Sequence, residues 1–255
     1  MLRKLLAATL AALTLHVALA PPAAAAIGTP TELGNFSSTT TTSPQSITTS
    51  ASCDAGSLIV VPLTHMTTTT AHAVSDSAGN TYSITATYTG ATRMVLAYKE
   101  NAAALGSGGT ITASWTTNSS IMMAAYCVSG VATASALDKT GAGRSASPGP
   151  SFTLPTGTLA QANEIVFGTW TTNGSDGGVT SAGTSFTALT PFTMTSSTPV
   201  FHAAYKITSV VTDSNYDPAW NTSRNYTGNL WTFKEASGGG GATTQRGLLL
   251  GVGDR

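Results

Sequence analysis

The chain has 255 residues and a net charge of zero, with charged side chains at 9% where soluble domains usually carry ~25%. There is no basic surplus to meet nucleic acid, and an apolar content of 41% is too high for a disordered chain. A threonine-rich surface with so little charge repels its neighbours weakly, which suits an assembly or a cell surface better than a concentrated cytosolic enzyme.

Residues 1–26 read as a signal peptide: Arg3 and Lys4 begin it, residues 5–20 are apolar, and Ala24, Ala25 and Ala26 form a small-residue cleavage site before Ile27. The apolar stretch is interrupted by Thr14 and His16 and closed by Pro21 and Pro22. It is short of the ~20 residues a membrane helix needs. The expected location is therefore secreted, periplasmic or at the cell surface, with no membrane span after cleavage, and a virion surface as a further option. Residues 27–43 form a Thr/Ser-rich lead-in.

From residue 44 the pattern is that of strands: QSITTSASC, SLIVVPLTH, NTYSITATYT, RMVLAYKEN, GTITASWTT and IMMAAYCVSG, rich in Val, Ile, Thr and aromatics and separated by Gly, Asn, Asp and Ser. The unbroken apolar run 58–63 predicts a strand buried on both faces. Helical spacing occurs only in the leader. Residues 141–150, GAGRSASPGP, read as a linker of turn-formers. A second set of strands follows over 151–236, and 237–255 is a Gly-rich tail ending in a short apolar tag.

The two sets are copies. Ile59 and Ile165 lie 106 residues apart, Tyr98 and Tyr205 107, and Trp115 and Trp220 105, and Ala-Tyr-Lys is identical in both. The expected fold is all-β: an internally duplicated antiparallel sandwich, jelly-roll or Ig-like, with about six strands per half over 44–140 and 151–236. The halves are either separate beads or packed parts of one pseudo-twofold sandwich; open strand edges favour packing.

Few residues suggest chemistry. Cys53 and Cys127 are compatible with one disulfide in an exported protein, or with two small buried thiols. His65 and His72 can approach across a loop, but a zinc site needs three or four ligands and nothing is spaced to complete it. No G-x-S-x-G elbow is present for a hydrolase, and the scattered carboxylates sit beside turns, where Asp usually holds backbone. Asp213, Asn215 and Asp217 begin like a calcium loop, but Pro218 and Arg224 stand where the glycine and bidentate glutamate belong. Calcium is the one cofactor left open; no other is implied. Aromatics that recur in both copies are assigned to the core. Trp170, set against Thr64 in the first copy, and Tyr216 do not recur, and are the candidates for stacking on a sugar.

The segment VSDSAGNTY (74–82), with LIVV (58–61), ALDKT (136–140) and NEIVFG (163–168), resembles a repeated sandwich region found in secreted bacterial proteins and in phage tail or virion-surface proteins, related to bacterial Ig-like modules. The resemblance covers roughly residues 45–236 and implies a non-enzymatic structural or adhesive role with no catalytic residues to carry over. The second copy departs from it, with AGTS (182–185) in place of AGNT. The expected function is an exported surface or virion-associated structural and adhesive module. A carbohydrate-binding module is the first alternative and a secreted hydrolase the second. The expected partners are a cell-surface glycan or protein, or further copies of the chain.

Overall fold

Strands read from unbroken apolar runs lie at the centres of sheets that are covered on both faces. The computed structural model describes residues 25–39, 42–66, 71–86, 93–116, 120–144, 148–189, 192–193, 199–212 and 214–237. The bulk of the expected signal peptide and of the Gly-rich tail lies outside these residues. The described chain is all-β and forms one unit.

The first half contains β1 (Thr31–Ser38), β2 (Gln45–Thr48), β3 (Leu58–His65), β4 (Ala73–Asp76), β5 (Ser83–Ala86), β6 (Arg93–Lys99), β7 (Thr110–Ser114) and β8 (Ile121–Val128). Its large sheet has the order β1-β8-β3-β6-β5 and its small sheet β2-β7-β4, antiparallel throughout. The second half contains β9 (Leu137–Arg144), β10 (Gly149–Ser151), β11 (Leu154–Pro155), β12 (Asn163–Thr172), β13 (Val179–Ser181), β14 (Thr187–Ala188), β15 (Phe192–Thr193), β16 (Val200–Ser209), β17 (Asn215–Tyr216), β18 (Ala219–Arg224) and β19 (Tyr226–Lys234). Its large sheet reads β9-β19-β12-β16-β14, with β15 also pairing β16, its small sheet β10-β18-β13, and β11 and β17 pair by themselves. The pairs β1–β8, β2–β7 and β3–β6 nest inside one another, as do β9–β19, β10–β18, β11–β17 and β12–β16. That nesting is a long hairpin rolled up, the jelly-roll arrangement.

The strand orders of the two halves correspond one to one, so the duplication read from sequence is a duplication of topology. Two boundaries move. The Thr/Ser-rich lead-in contains β1, an edge strand paired along β8, and the expected linker supplies the end of β9, paired along β19, and then β10. Turn-forming composition misled here because Gly141 and Gly143 sit in an edge strand, where small residues let the Leu230 and Leu154 side chains approach the backbone. Each half thus has eight corresponding strands where about six were expected.

The four main sheets stack as small, large, large, small. Alternation along each central strand sends one set of side chains into its own half and the other set into the partner half. Ile59, Val61 and Leu63 of β3 join Ile111, Met123 and Trp115 in the first interior, while Leu58 and Val60 meet Ile165, Phe167, Trp231 and Phe233 between the large sheets. All eight residues of β3 and of β8 are buried. Pro62 survives mid-strand because the ladder to β8 lapses at Val61 and Pro62, where no N–H is available. Aromatic rings tie the halves: Tyr126 to Phe167 at 6.4 Å between centroids, and Tyr98 to Phe233 at 5.5 Å, edge to face. Fully burying each such side chain contributes about 1.5–3 kcal/mol, so the halves form one sandwich stack and not separate beads.

Cross-strand register corrects the internal alignment by one residue. Val60 lies opposite Tyr98 and Tyr126, and Phe167 opposite Tyr205 and Trp231. Val60 therefore corresponds to Phe167, Ile59 to Val166, and Trp170 to Leu63, not to Thr64. A slip of one residue exchanges the two faces of a strand. On the corrected register every repeated aromatic occupies the same layer in both halves: Tyr98 and Tyr205 between the large sheets, Trp115 and Trp220 inside the small ones.

The two interiors are filled differently. In the first, Val61 and Met123 face inward. Their counterparts are Gly168 and Gly228, and the room is taken by Tyr216 and Phe152. A Cβ on Gly168 would strike the Tyr216 ring, and one on Gly228 would lie 2.5 Å from the Phe152 ring. Gly168→Ala is accordingly expected to lower stability by about 1–3 kcal/mol. Combining it with Tyr216→Leu should recover part of that loss, read as a non-additive shift in the urea midpoint; strict additivity would show that the ring does not rest on this glycine.

Candidate functional site

One cross-strand pair is aliphatic in the first half and polar in the second. In the first, Leu63 of β3 lies opposite Val95 of β6. At the corresponding place Trp170 of β12 lies opposite His202 of β16, with the imidazole stacked on the indole at 4.0 Å and 23°. Trp220 of β18 stacks on Trp170 within the same interior, at 4.5 Å between ring centroids. The chain leaving β12 turns back over this ladder through residues 173–178. That turn uses Gly177 and Gly178 at φ 72° and 102°, values that favour glycine. It is held down by Arg224 Nε on the Ser175 carbonyl at 2.7 Å and Asn221 Nδ2 on the Gly177 carbonyl at 2.9 Å.

The turn delivers Asp176. Its Oδ2 lies 2.7 Å from His202 Nε2, and its Oδ1 accepts the Gly178 N–H at 2.8 Å. Asp176 is 3% exposed and His202 8%. Burial pushes the His202 pKa below its ordinary value, partly opposed by the hydrogen bond and charge of Asp176. The imidazole is therefore neutral near pH 7, with Nε2–H donating to the carboxylate and Nδ1 left with its lone pair. Asp176 is the one side chain that hydrogen-bonds His202 among the described residues. Both cysteines are in the disulfide, so no thiol serves this pair as a nucleophile.

Beside the pair is a cavity of about 90 Å³ lined by Trp170, Val179, Ala182, Leu189, His202 and Tyr216, with small alanines filling the remainder. Trp170 and Tyr216 were expected as surface platforms for a sugar, and that expectation is corrected: they are 1% and 0% exposed. They reach the cavity from inside the core. Burial also drives the Tyr216 phenol well above its ordinary range, and its hydroxyl has no hydrogen-bond partner.

The remaining candidates hold the fold. Asp217 uses both oxygens on Thr184, accepting its N–H at 2.6 Å and its hydroxyl at 2.8 Å. Asn215 pairs its backbone with Pro155 in β17, and Asp213 lies outside the described residues. Among the described residues no group of three or more His, Cys, Asp and Glu converges as a metal site would require. Asp76 accepts from the Ala78 and Asn80 N–H groups, the Asn80 amide and the Tyr82 hydroxyl, at 2.8–3.0 Å. Asn80 in turn accepts the Ala103 N–H at 2.7 Å. The second half secures the equivalent turn from the opposite direction, through Asp217. Glu100 binds the Ser135 and Ala136 N–H groups, fixing the chain between the halves.

Two further groupings come together only in three dimensions. His65 and His72 lie 4.9 Å apart between ring centroids, and His65 lies 4.9 Å from Trp115. Burial, then neighbouring positive charge from His72 and Arg93, lowers the His65 pKa to about 3; burial, then the charge of Arg93, brings His72 to about 4. Glu164, fully buried at the start of β12, is held above its ordinary pKa by burial and by the nearby Asp138. The two carboxyls interact with each other, and neither lines the cavity beside His202.

The His202–Asp176 pair was missed in the sequence because its members are 26 residues apart and meet through a loop. A signal was present: on the correct register Trp170 and His202 replace an aliphatic pair. Aligning Trp170 with Thr64 concealed it. Comparison of the chain with known proteins finds no matching family model, no matching curated protein and no matching solved structure.

Proposed function

We propose that the chain is a non-enzymatic structural or adhesive module of an exported surface, cellular or virion-borne. The observation that supports this best is the outward side of the small sheets. On β2-β7-β4, Ser46, Thr112 and Ser75 form one row across the strands and Thr48 and Thr110 the next, with Ser46 Oγ 2.8 Å from Thr112 Oγ1. On β13 and β18, Thr180, Asn221 and Ser223 are exposed. Such faces offer hydroxyls and amides without charge, so each contact is weak and useful binding comes from many copies acting together. The carboxylates Asp76, Asp217 and Glu100 are committed to holding turns, which agrees with a role that presents surface and does not turn over substrate.

The carbohydrate-binding alternative draws on the same neutral hydroxyl rows but loses the exposed stacking pair, since Trp170 and Tyr216 are interior. A glycan-array and insoluble-polysaccharide retention assay separates the readings. The biotinylated chain, from residue 27 onward, is compared as a monomer and as a streptavidin tetramer. The adhesive reading expects retention of the tetramer alone. Tight retention of the monomer on one defined sugar would favour a dedicated carbohydrate module. Hydrolysis of a retained glycan or ester, abolished by Asp176→Asn, would sink the non-enzymatic reading.

A further inference from the structure

We propose that the cavity beside His202 binds a small neutral molecule, mostly apolar and carrying one hydrogen-bond donor, of the size and kind of a phenol. The inference is independent of what the outer faces bind. Four observations carry it: the departure of this site from its duplicate, the lining of the cavity, its size and the state of its one basic group.

In a duplicated fold the first half shows what the scaffold alone requires. There the corresponding cross-strand pair is Leu63 and Val95, both buried in an interior that closes without a buried acid at this place. The second half replaces that pair with Trp170 and His202 and brings in a buried carboxylate, Asp176, to hold the imidazole. Burying a histidine and an aspartate is unfavourable unless each is paired and oriented. An aliphatic pair fills the equivalent place without that penalty, so the polar pair is not needed merely to close a sandwich of this topology.

The side chains that line the cavity are apolar apart from His202, the indole N–H of Trp170 and the phenol of Tyr216. Trp170, Val179, Ala182, Leu189 and the neighbouring alanines would strip water from any ion that entered, which excludes charged ligands. Asp176 does not attract a cation into the space, because its oxygens already receive His202 Nε2–H and the Gly178 N–H. With Nε2 donating, the neutral imidazole presents Nδ1 as an acceptor, so the matching ligand group is a donor such as a hydroxyl. A water-sized occupant needs ~10–15 Å³ of such volume; the 90 Å³ here therefore accommodates roughly six to nine heavy atoms, a range that includes a hydroxylated six-membered ring. An empty apolar cavity of about 150 Å³ takes up benzene; the smaller space here opens outward beside the exposed Val179 and Ala188, so part of a ring can extend beyond it. The indole of Trp170 adds a flat wall to an aromatic guest.

The test is a titration of the full chain with phenol and, separately, with toluene, which matches its size but has no donor. Tryptophan fluorescence reports on Trp170 and Trp220, and calorimetry gives the affinity. Phenol is expected to bind saturably in the millimolar range or tighter and at least tenfold more tightly than toluene. His202→Val, which restores the residue found in the first half, should bring phenol down to the level of toluene. Ala182→Leu, which fills the space from its partly exposed wall and leaves the His202–Asp176 pair in place, should abolish binding of both. Should His202→Val fail to fold, the Ala182→Leu result decides. The proposal is overturned if phenol produces no saturable change, if Ala182→Leu binds phenol as the natural chain does, or if His202→Val keeps the preference for phenol over toluene.

Discussion

Replacing Cys53 and Cys127 together by serine is expected to lower the stability of the oxidised chain by about 2–4 kcal/mol. The two residues form a disulfide with Cα atoms 5.6 Å apart and a sequence separation of 74. Closing a loop of that length removes chain entropy from the unfolded state worth roughly 4 kcal/mol, an upper figure because measured disulfides commonly deliver less. The bond belongs to one half alone: Cys53 precedes β3, Cys127 lies in β8, and both are packed in the first interior. Thr232, opposite Val166, takes the Cys127 place in the second half. Thiol titration after denaturation should find no free thiol in the natural oxidised chain, and urea unfolding should show the midpoint falling in the double-serine variant. Two titratable thiols, or an unchanged midpoint, would contradict the assignment.

Acid should destabilise the chain through the first interior. The His65 pKa falls from its ordinary 6.5 to about 3 on folding, and that of His72 to about 4. The unfolded chain therefore binds more protons than the native one between these values. The stability these groups allow is fully present above pH 6.5 and is lost progressively as pH falls towards 4 and then 3. For His65, which is fully buried, the complete shift corresponds to a loss on the order of 4–5 kcal/mol at 1.36 kcal/mol per pKa unit. The immediate surroundings cannot relieve the charge: His72 and Trp115 pack on the ring, and Arg93 lies opposite in β6. His65→Phe keeps an aromatic ring at this place and removes the titration. The drop in unfolding free energy from pH 7.5 to pH 4.0 should be roughly half as large in that variant as in the natural chain, because His72 still titrates. Equal drops would show that His65 is not the acid-sensitive group.

Much of the architecture was legible because it follows from rules that act locally. Alternating β-branched and aromatic residues marked the strands, and the run 58–63 announced a strand covered on both sides because no polar residue in it could face water. A repeat of about 105 residues marked the duplication, since two copies of one topology must refill the same layers. The disulfide could be weighed as one of two readings, but choosing between them needed the distance between β8 and the segment before β3. Composition failed where geometry overrules it. Gly141 and Gly143 look like turn residues and instead sit in an edge strand, because the second interior pushes Leu154 against that strand.

The sequence by itself determined the all-β class, the two copies, the core packing of the recurring aromatics and the shortage of charge, because each of these is a property of strand periodicity or of composition. Only the tertiary structure decided which face of each strand meets which core. Period-two alternation is unchanged by sliding a strand one residue, while the slip exchanges every side chain between faces. That single residue of register moved Trp170 from an expected sugar platform to the interior and matched it with Leu63. It also revealed that His202, 26 residues from Asp176 in the chain, stands over the same cavity as Trp170. The pair forms because a loop folds back across a sheet, and no local spacing in the chain encodes that path.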